Sequence, residues 1–253
     1  MSTPQGWYPD TTGRHQLRWW TGKSWAAAVV DDGAQSYDAE GLTDPRAPVP
    51  RAGFTAEEFA AVRQDCGVAA LPGDDPFTAP VLSIWRRQGG LVDLDPTWSV
   101  HDGLGRWLGT FRLSVTGTAP DDRRYVLHGW DGSSTVFAPA HPTALAVATA
   151  RNGETLGSIV TERGGPQLEA TIDQMLLARV AYSIGTVEVV ALSGTACGRL
   201  VPPSLDLRRK ISKRCGWAPV LMAEQLGDPD PLTARAVNLI ALNWEHLIPA
   251  GVG

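Results

Sequence analysis

Three groups of residues have the types and spacing to do chemistry. The first is "HDGLGRWLGTF", residues 101–111, where Gly103, Gly105 and Gly109 form a G-x-G-x-x-x-G arrangement. A dinucleotide pyrophosphate cradle uses a tighter spacing, once, directly after a buried strand and opening a helix. The second is "RRKISKR", residues 208–214, with Arg208, Arg209, Lys210, Lys213 and Arg214. Basic clusters attract anionic lipid at about 1 kcal/mol per residue near the surface. Read as a strand, this segment puts Arg208, Lys210 and Arg214 on one face. The plainer reading is a solvated basic strand or hairpin that pairs with the acidic N-terminal third. The third group is aromatic: Trp7, Tyr8, Trp19, Trp20 and Trp25, from a chain with ten tryptophans. Aromatics on a small sheet can grip a proline-containing partner. They can equally be the sheet's own miniature core.

Other chemistry finds no pattern to rest on. His101, His128, His141 and His246 are scattered, and there is no H-E-x-x-H, no G-x-S-x-G and no metal-spaced Cys/His cluster. No catalytic residue, no metal site and no cofactor is therefore assigned, and a non-enzymatic protein is expected. Cys66, Cys197 and Cys215 fit neither a zinc pattern nor a disulfide framework, which favours a reducing cytoplasm. The N-terminus lacks the charged and apolar regions of a signal peptide. No apolar run reaches the roughly 18 residues of a confident membrane helix. The net charge is -5. It is concentrated in residues 1–80, with six basic and eleven acidic side chains, while the remainder carries sixteen of each. No nucleic-acid footprint is present.

The elements that would position these groups divide the chain in three. Residues 1–33 read as a two- or three-stranded meander with turns at Thr12-Gly13 and Thr21-Gly22. Residues 34–80 read as a linker holding one short helix, 55–66. There Thr55 is the N-cap, Glu58 completes a capping box, Phe54 and Phe59 form the staple, and Gly67 stops the helix. Residues 81–253 are β-rich, with strand-like runs such as "LSIWRR", "TWSVHD", "RRYVLHGW", "TALAVATA" and "TVEVVALS".

Here the glycine motif loses its singularity. "GLGRWLGTF", "GETLGSI" and "GTACGRL" each read G-x-x-x-G-x-apolar from Gly105, Gly153 and Gly194, with "GWDGSSTVFA" a looser copy on Gly132. A recurring element followed each time by another strand is a hairpin: a turn glycine, then a glycine suited to a bulge or close approach. Four such hairpins predict an antiparallel barrel or sandwich. The C-terminal segment 231–248 reads as a helix capped by Asp230, with Pro231 at its first position and Pro249 at its end. It is apolar nearly all round and also carries Arg235, Asn238 and Asn243. The cost of those groups in lipid favours burial inside the β-structure.

Two resemblances follow. Gly6, Trp7, Tyr8, Pro9, Asp10, Arg18, Trp19, Trp20, Gly22 and Trp25 resemble a short actinobacterial domain of unknown function, which usually sits at a cytoplasmic N-terminus. The hairpins and terminal helix of residues 81–250 are similar to the tubby-like superfamily, in its phospholipid scramblase-related and LURP-one-related branch. That resemblance implies a barrel of about twelve strands around a central helix. It also implies a peripheral membrane protein binding anionic phospholipid, with Arg208, Arg209, Lys210, Lys213 and Arg214 as the contact residues. Scramblase-like proteins bind calcium near the last strand and helix, where this chain has Glu224, Asp228 and Asp230. The incomplete ligand set and the capping role of Asp230 favour a structural reading. The alternative function is a soluble scaffold whose Trp7, Tyr8, Trp19, Trp20 and Trp25 bind a protein partner, such as its own "RAPVPR" segment.

Overall fold

The computed structural model describes residues 4–9, 15–22, 25–37, 53–88, 96–115, 123–138, 144–150, 153–161, 168–172, 175–182 and 186–243. The Thr12-Gly13 turn, the "RAPVPR" segment and residues 244–248 of the terminal helix lie outside them. The chain is mainly β and forms two compact units, 1–47 and 48–253.

The first unit is an antiparallel meander of four strands, β1 (Gly6–Pro9), β2 (Leu17–Trp20), β3 (Trp25–Asp31) and β4 (Ala34–Tyr37), in that order. The expected sheet ended at residue 33, so β4 is an addition. Asp32 and Gly33 both take positive φ, 50° and 80°, between the paired residues Asp31 and Ala34. Two such residues are the tight turn that matches strand twist, and "DDG" supplies them.

The second unit opens with α1 (Ala56–Asp65), capped as the sequence predicts. The Thr55 N–H donates to Glu58 Oε2 at 2.8 Å, and the Glu58 N–H donates to Thr55 Oγ1 at 3.2 Å. Phe54 stacks on Phe59 at 6.2 Å, and Gly67 follows with φ of 62°. Twelve strands come next. They are β5 (Val81–Arg87), β6 (Thr97–Asp102), β7 (Trp107–Val115), β8 (Arg123–Gly129), β9 (Ser134–Ala138), β10 (Ala144–Ala150), β11 (Thr155–Thr161), β12 (Leu168–Ile172), β13 (Met175–Tyr182), β14 (Val187–Ala191), β15 (Ala196–Val201) and β16 (Trp217–Gln225). Each pairs antiparallel with the next, and β16 pairs with β5, so the pairings close into a ring. Helix α2 (Leu205–Cys215) interrupts the last two strands, and α3 (Pro231–Leu242) follows them.

The repeated glycines have a common geometry. In β6–β7, Val100 faces Gly109 and His101 faces Trp107, leaving Leu108 as an extra residue. In β10–β11, Ala148 faces Gly157 and Thr149 faces Thr155, leaving Leu156. In β14–β15, Val189 faces Gly198 and Val190 faces Ala196, leaving Cys197. Each copy is therefore a turn followed by a bulge, and all three bulged side chains are buried in the interior core. In the looser copy, Val136 stands where the second glycine would be, and β8–β9 pairs without a register shift. The turn glycine Gly105 has φ of 84°. At Gly198 a Cβ would come within 2.7 Å of Val237 on α3, so this glycine lets the helix approach the strand.

The unit has two cores. Inside the ring, Leu82, Ile84, Val100, Phe111, Leu127, Phe137, Leu200 and Leu221 cluster with Ala236, Val237, Leu239, Ile240 and Ala241 of α3. Two of the helix's three polar groups are accommodated: Asn238 Nδ2 donates to Ala79 O at 2.9 Å, and Asn243 Nδ2 to Leu239 O at 2.8 Å, whereas Arg235 Nε is buried without a hydrogen-bond partner among the described residues. Outside the ring, alternate residues of the same strands, Val81 and Trp85 of β5 and Met222 of β16, meet Phe54, Phe59, Val62 and Ile211 of the helical segments. Residues 68–80, expected as linker, pack instead across the glycine-turn end. Phe77 joins the interior core, Leu71 O accepts from the Gly103 N–H at 3.0 Å, and Asp74 O accepts from Trp130 Nε1 at 2.9 Å.

Candidate functional site

The basic segment is helical, which corrects the strand reading. Leu207, Ile211 and Cys215 repeat every four residues and make an apolar stripe, with Ile211 buried against the outer core. Gly216, in the left-handed region at φ of 72°, ends the helix, and its N–H donates to Ser212 O. Counting cations alone hid this period.

Helical geometry regroups the five cations. At 100° per residue, Arg208 and Arg214 flank the buried stripe, while Arg209, Lys210 and Lys213 lie on the opposite, exposed face. Arg208, Lys210 and Arg214 therefore share no face. Leu205, 54% exposed, also lies toward solvent at the helix start.

The helix is held at both ends against α1, running antiparallel to it. At its start, Asp65 accepts from the Ser204 N–H at 2.7 Å and the Ser204 hydroxyl at 3.1 Å. At its end, Arg214 binds Glu58 through Nε and NH2, and NH2 also donates to Gly53 O at 2.9 Å. Burial alone would raise the Glu58 carboxyl, but hydrogen bonds from Arg214 and the Thr55 N–H outweigh it and hold it below its ordinary value. The same bond raises Arg214. Arg214 is thus a clamp, and the sequence did expect basic residues here to meet acids of the N-terminal third. Among the described residues, no carboxylate forms an ion pair with Arg208, Arg209, Lys210 or Lys213.

The acidic group near α3 is engaged elsewhere. Glu224 accepts from the Ala69 N–H at 2.9 Å and from Arg199 Nε at 2.6 Å, which ties the covering segment to the barrel. Asp230 caps α3, accepting from Thr233 Oγ1 at 2.6 Å and the Leu232 N–H at 3.0 Å. Its hydrogen bonds to Thr233 hold its carboxyl below the ordinary value. Asp228 is exposed. Among the described residues, no three potential metal ligands converge. Burial pushes the Cys66 thiol up to about 12, far from a reactive thiolate.

In the first unit the five aromatics split between two faces. Trp7 faces Trp19 across β1–β2, with their rings edge-on at 5.2 Å. Tyr8 and Trp20 take the other face, where Trp25 meets Trp20 at 5.2 Å and Tyr8 at 6.3 Å. All five are half-buried, so they pack on one another without being sealed from solvent. Arg18, which the sequence named within the motif without a role, pairs with Tyr8, is fully buried and donates to Ala26 O at 3.3 Å.

No helix of the described residues is long and apolar enough to cross a membrane. No family model matches the chain, and no curated protein matches it. Among solved structures, it is similar to the X-ray structure of a protein from Arabidopsis thaliana. That alignment has 16% identity, covers 68% of this chain and 96% of the other, and has a TM-score of 0.38.

Proposed function

We propose that this protein is a non-catalytic, tubby- and scramblase-like module that docks peripherally on anionic membrane surfaces through α2. The observation that carries this reading is the exposed face of α2, where Arg209, Lys210 and Lys213 stand; Lys210 also adds its charge to the field that lowers Glu58. The antiparallel ring with an apolar helix in its interior core supports the family reading. At about 1 kcal/mol per cation, these three supply about 3 kcal/mol, on the order of a hundredfold in affinity. Such binding weakens as salt shortens the screening length. Calcium plays no part in this reading, because Glu224 and Asp230 already have partners.

The test is co-sedimentation with phosphatidylcholine vesicles, with and without phosphatidylserine. Binding only to the anionic vesicles, falling with added salt, is the expected result. Equal sedimentation with both, or none with either, refutes it. The half-buried state of Trp7, Tyr8, Trp19, Trp20 and Trp25 favours a second reading, in which the small sheet grips a proline-containing peptide. A shift of tryptophan emission on adding a peptide of residues 44–51 would support that; an unchanged spectrum would count against it.

A further inference from the structure

Antiparallel pairing gathers the β6–β7, β8–β9, β10–β11 and β14–β15 turns, the start of β5 and the end of β16 at one end of the ring. The covering segment 68–80 crosses that end, and α3 starts there. Single exposed leucines need no explanation, because much of any folded surface is apolar. Their distribution here does. Among the described residues, five large hydrophobic side chains are exposed, and four of them are at this end. Leu71 stands on the covering segment, Leu104 on the β6–β7 turn, Leu192 on the β14–β15 turn and Leu232 at the start of α3. The two turns are four strand spacings apart, about 20 Å around the ring. Apolar knobs clustered in this way, with polar residues around them, mark an interaction surface.

The same end is acidic. Asp74, Asp131, Asp228 and Asp230 are exposed around the leucines. Three arginines stand near this end, Arg106, Arg199 and Arg235, and all are half-buried. Arg106 is divided between Asp102 and Asp74, and Arg199 is held by Glu224, so the exposed charge stays negative. The fifth exposed leucine, Leu205, is on α2. It lies one helical turn before Arg209 on the same face, with Lys213 a further turn along. α2 therefore presents the complement of the turn end: an apolar knob set among cations instead of acids. The two surfaces cannot meet within one molecule. β16 leads from Trp217, just after α2, to Gln225 at the turn end, and its eight rises span about 26 Å.

We propose that the acidic, leucine-tipped end of one copy of this chain docks on the basic face of α2 of a second copy. Opposite charges set the orientation, and the leucines supply the apolar contact at the centre. A vesicle and a second copy compete for α2, but docking between copies does not require lipid binding, and it uses a surface that the vesicle reading leaves idle.

Sedimentation velocity of the full chain tests it. The sedimentation coefficient should rise with protein concentration towards about 1 mM, and rise less as salt is added. Asp74→Lys with Asp228→Lys should weaken association by about tenfold or more, since like charges then face each other. Arg209→Glu with Lys213→Glu should do the same from the other side. Leu104→Ser with Leu192→Ser should weaken it with no change of charge. All six side chains are exposed, so each variant should keep the wild-type melting temperature, which separates a lost contact from a lost fold. The decisive sample is an equimolar mixture of the two charge-reversed proteins. At a concentration where the wild type associates, each alone should stay monomeric and the mixture should associate, because the reversed end of one meets the reversed helix of the other. The Asp74→Lys, Asp228→Lys protein should still sediment with phosphatidylserine vesicles as the wild type does. If neither does, α2 is not a lipid surface, and association between copies is judged by sedimentation velocity alone. A wild-type sedimentation coefficient independent of concentration overturns the proposal. So does association undiminished in both charge-reversed variants, or a mixture no more associated than its components.

Discussion

The inner and outer cores of the second unit are built from the same strands but treat their helices differently. α3 is surrounded: Ala236, Val237, Leu239 and Ile240 are completely buried, and even Asn238 finds its partner inside. α2 is only half covered. It commits Ile211 to the outer core and the clamp Arg214 to α1, and turns Arg209, Lys210 and Lys213 outward. A helix enclosed by a barrel has no face left for a ligand, whereas one laid on the outside does. The difference places stability in the interior and leaves an open surface on the exterior, where the proposed recognition would act.

The comparison can be broken most severely from inside. Leu239→Ala should cost about 4 kcal/mol of global stability in denaturant titration, since an enclosed cavity cannot collapse. A loss below about 1 kcal/mol would mean that α3 is not enclosed. The next effect belongs to the outer core and to pH. Burial lowers His101 to about 4, against an ordinary value of 6.5. The unfolded chain therefore takes up a proton that the folded protein refuses between those values. Stability is full above pH 6.5, declines as pH falls towards 4, and levels off below, by about 3 kcal/mol in all. His101→Gln should flatten that slope, and an unchanged slope would assign it to other groups. Smaller still, Arg214→Ala should destabilise only slightly in denaturant titration, because Arg214 is half exposed and solvent screens its pair with Glu58. Hydrogen exchange should then show faster opening of α2 and α1 with unchanged protection in β5 and β6.

What could be read in advance was whatever depends on a few neighbouring residues. Thr55, Glu58 and Gly67 announce α1 because capping is local. Gly105, Gly153 and Gly194 announce hairpins because a tight turn demands positive φ. The bulge that gives the second glycine its meaning appears only in the register, where Leu108, Leu156 and Cys197 prove to be the extra residues. α2 was misread because its five cations are conspicuous and its apolar stripe is only Leu207, Ile211 and Cys215. Residues 68–80 look like a linker by their prolines, Gly73 and aspartates, yet their backbone groups bond to the glycine-turn end of the strands. A groove on the outer face, lined by Arg87, Ser99, Arg112 and Trp217 among others, was invisible, since these residues lie on four strands that only the ring of pairings brings together.

The smallest expected effect on stability is also the most informative. The triple variant Arg209→Glu, Lys210→Glu, Lys213→Glu alters only exposed side chains, so its unfolding free energy should stay within about 0.5 kcal/mol of wild type. Co-sedimentation of this variant with phosphatidylserine-containing vesicles tests the central claim most directly. The account predicts that binding seen for the wild type at low salt is lost. Wild-type levels of binding by the reversed helix would contradict it.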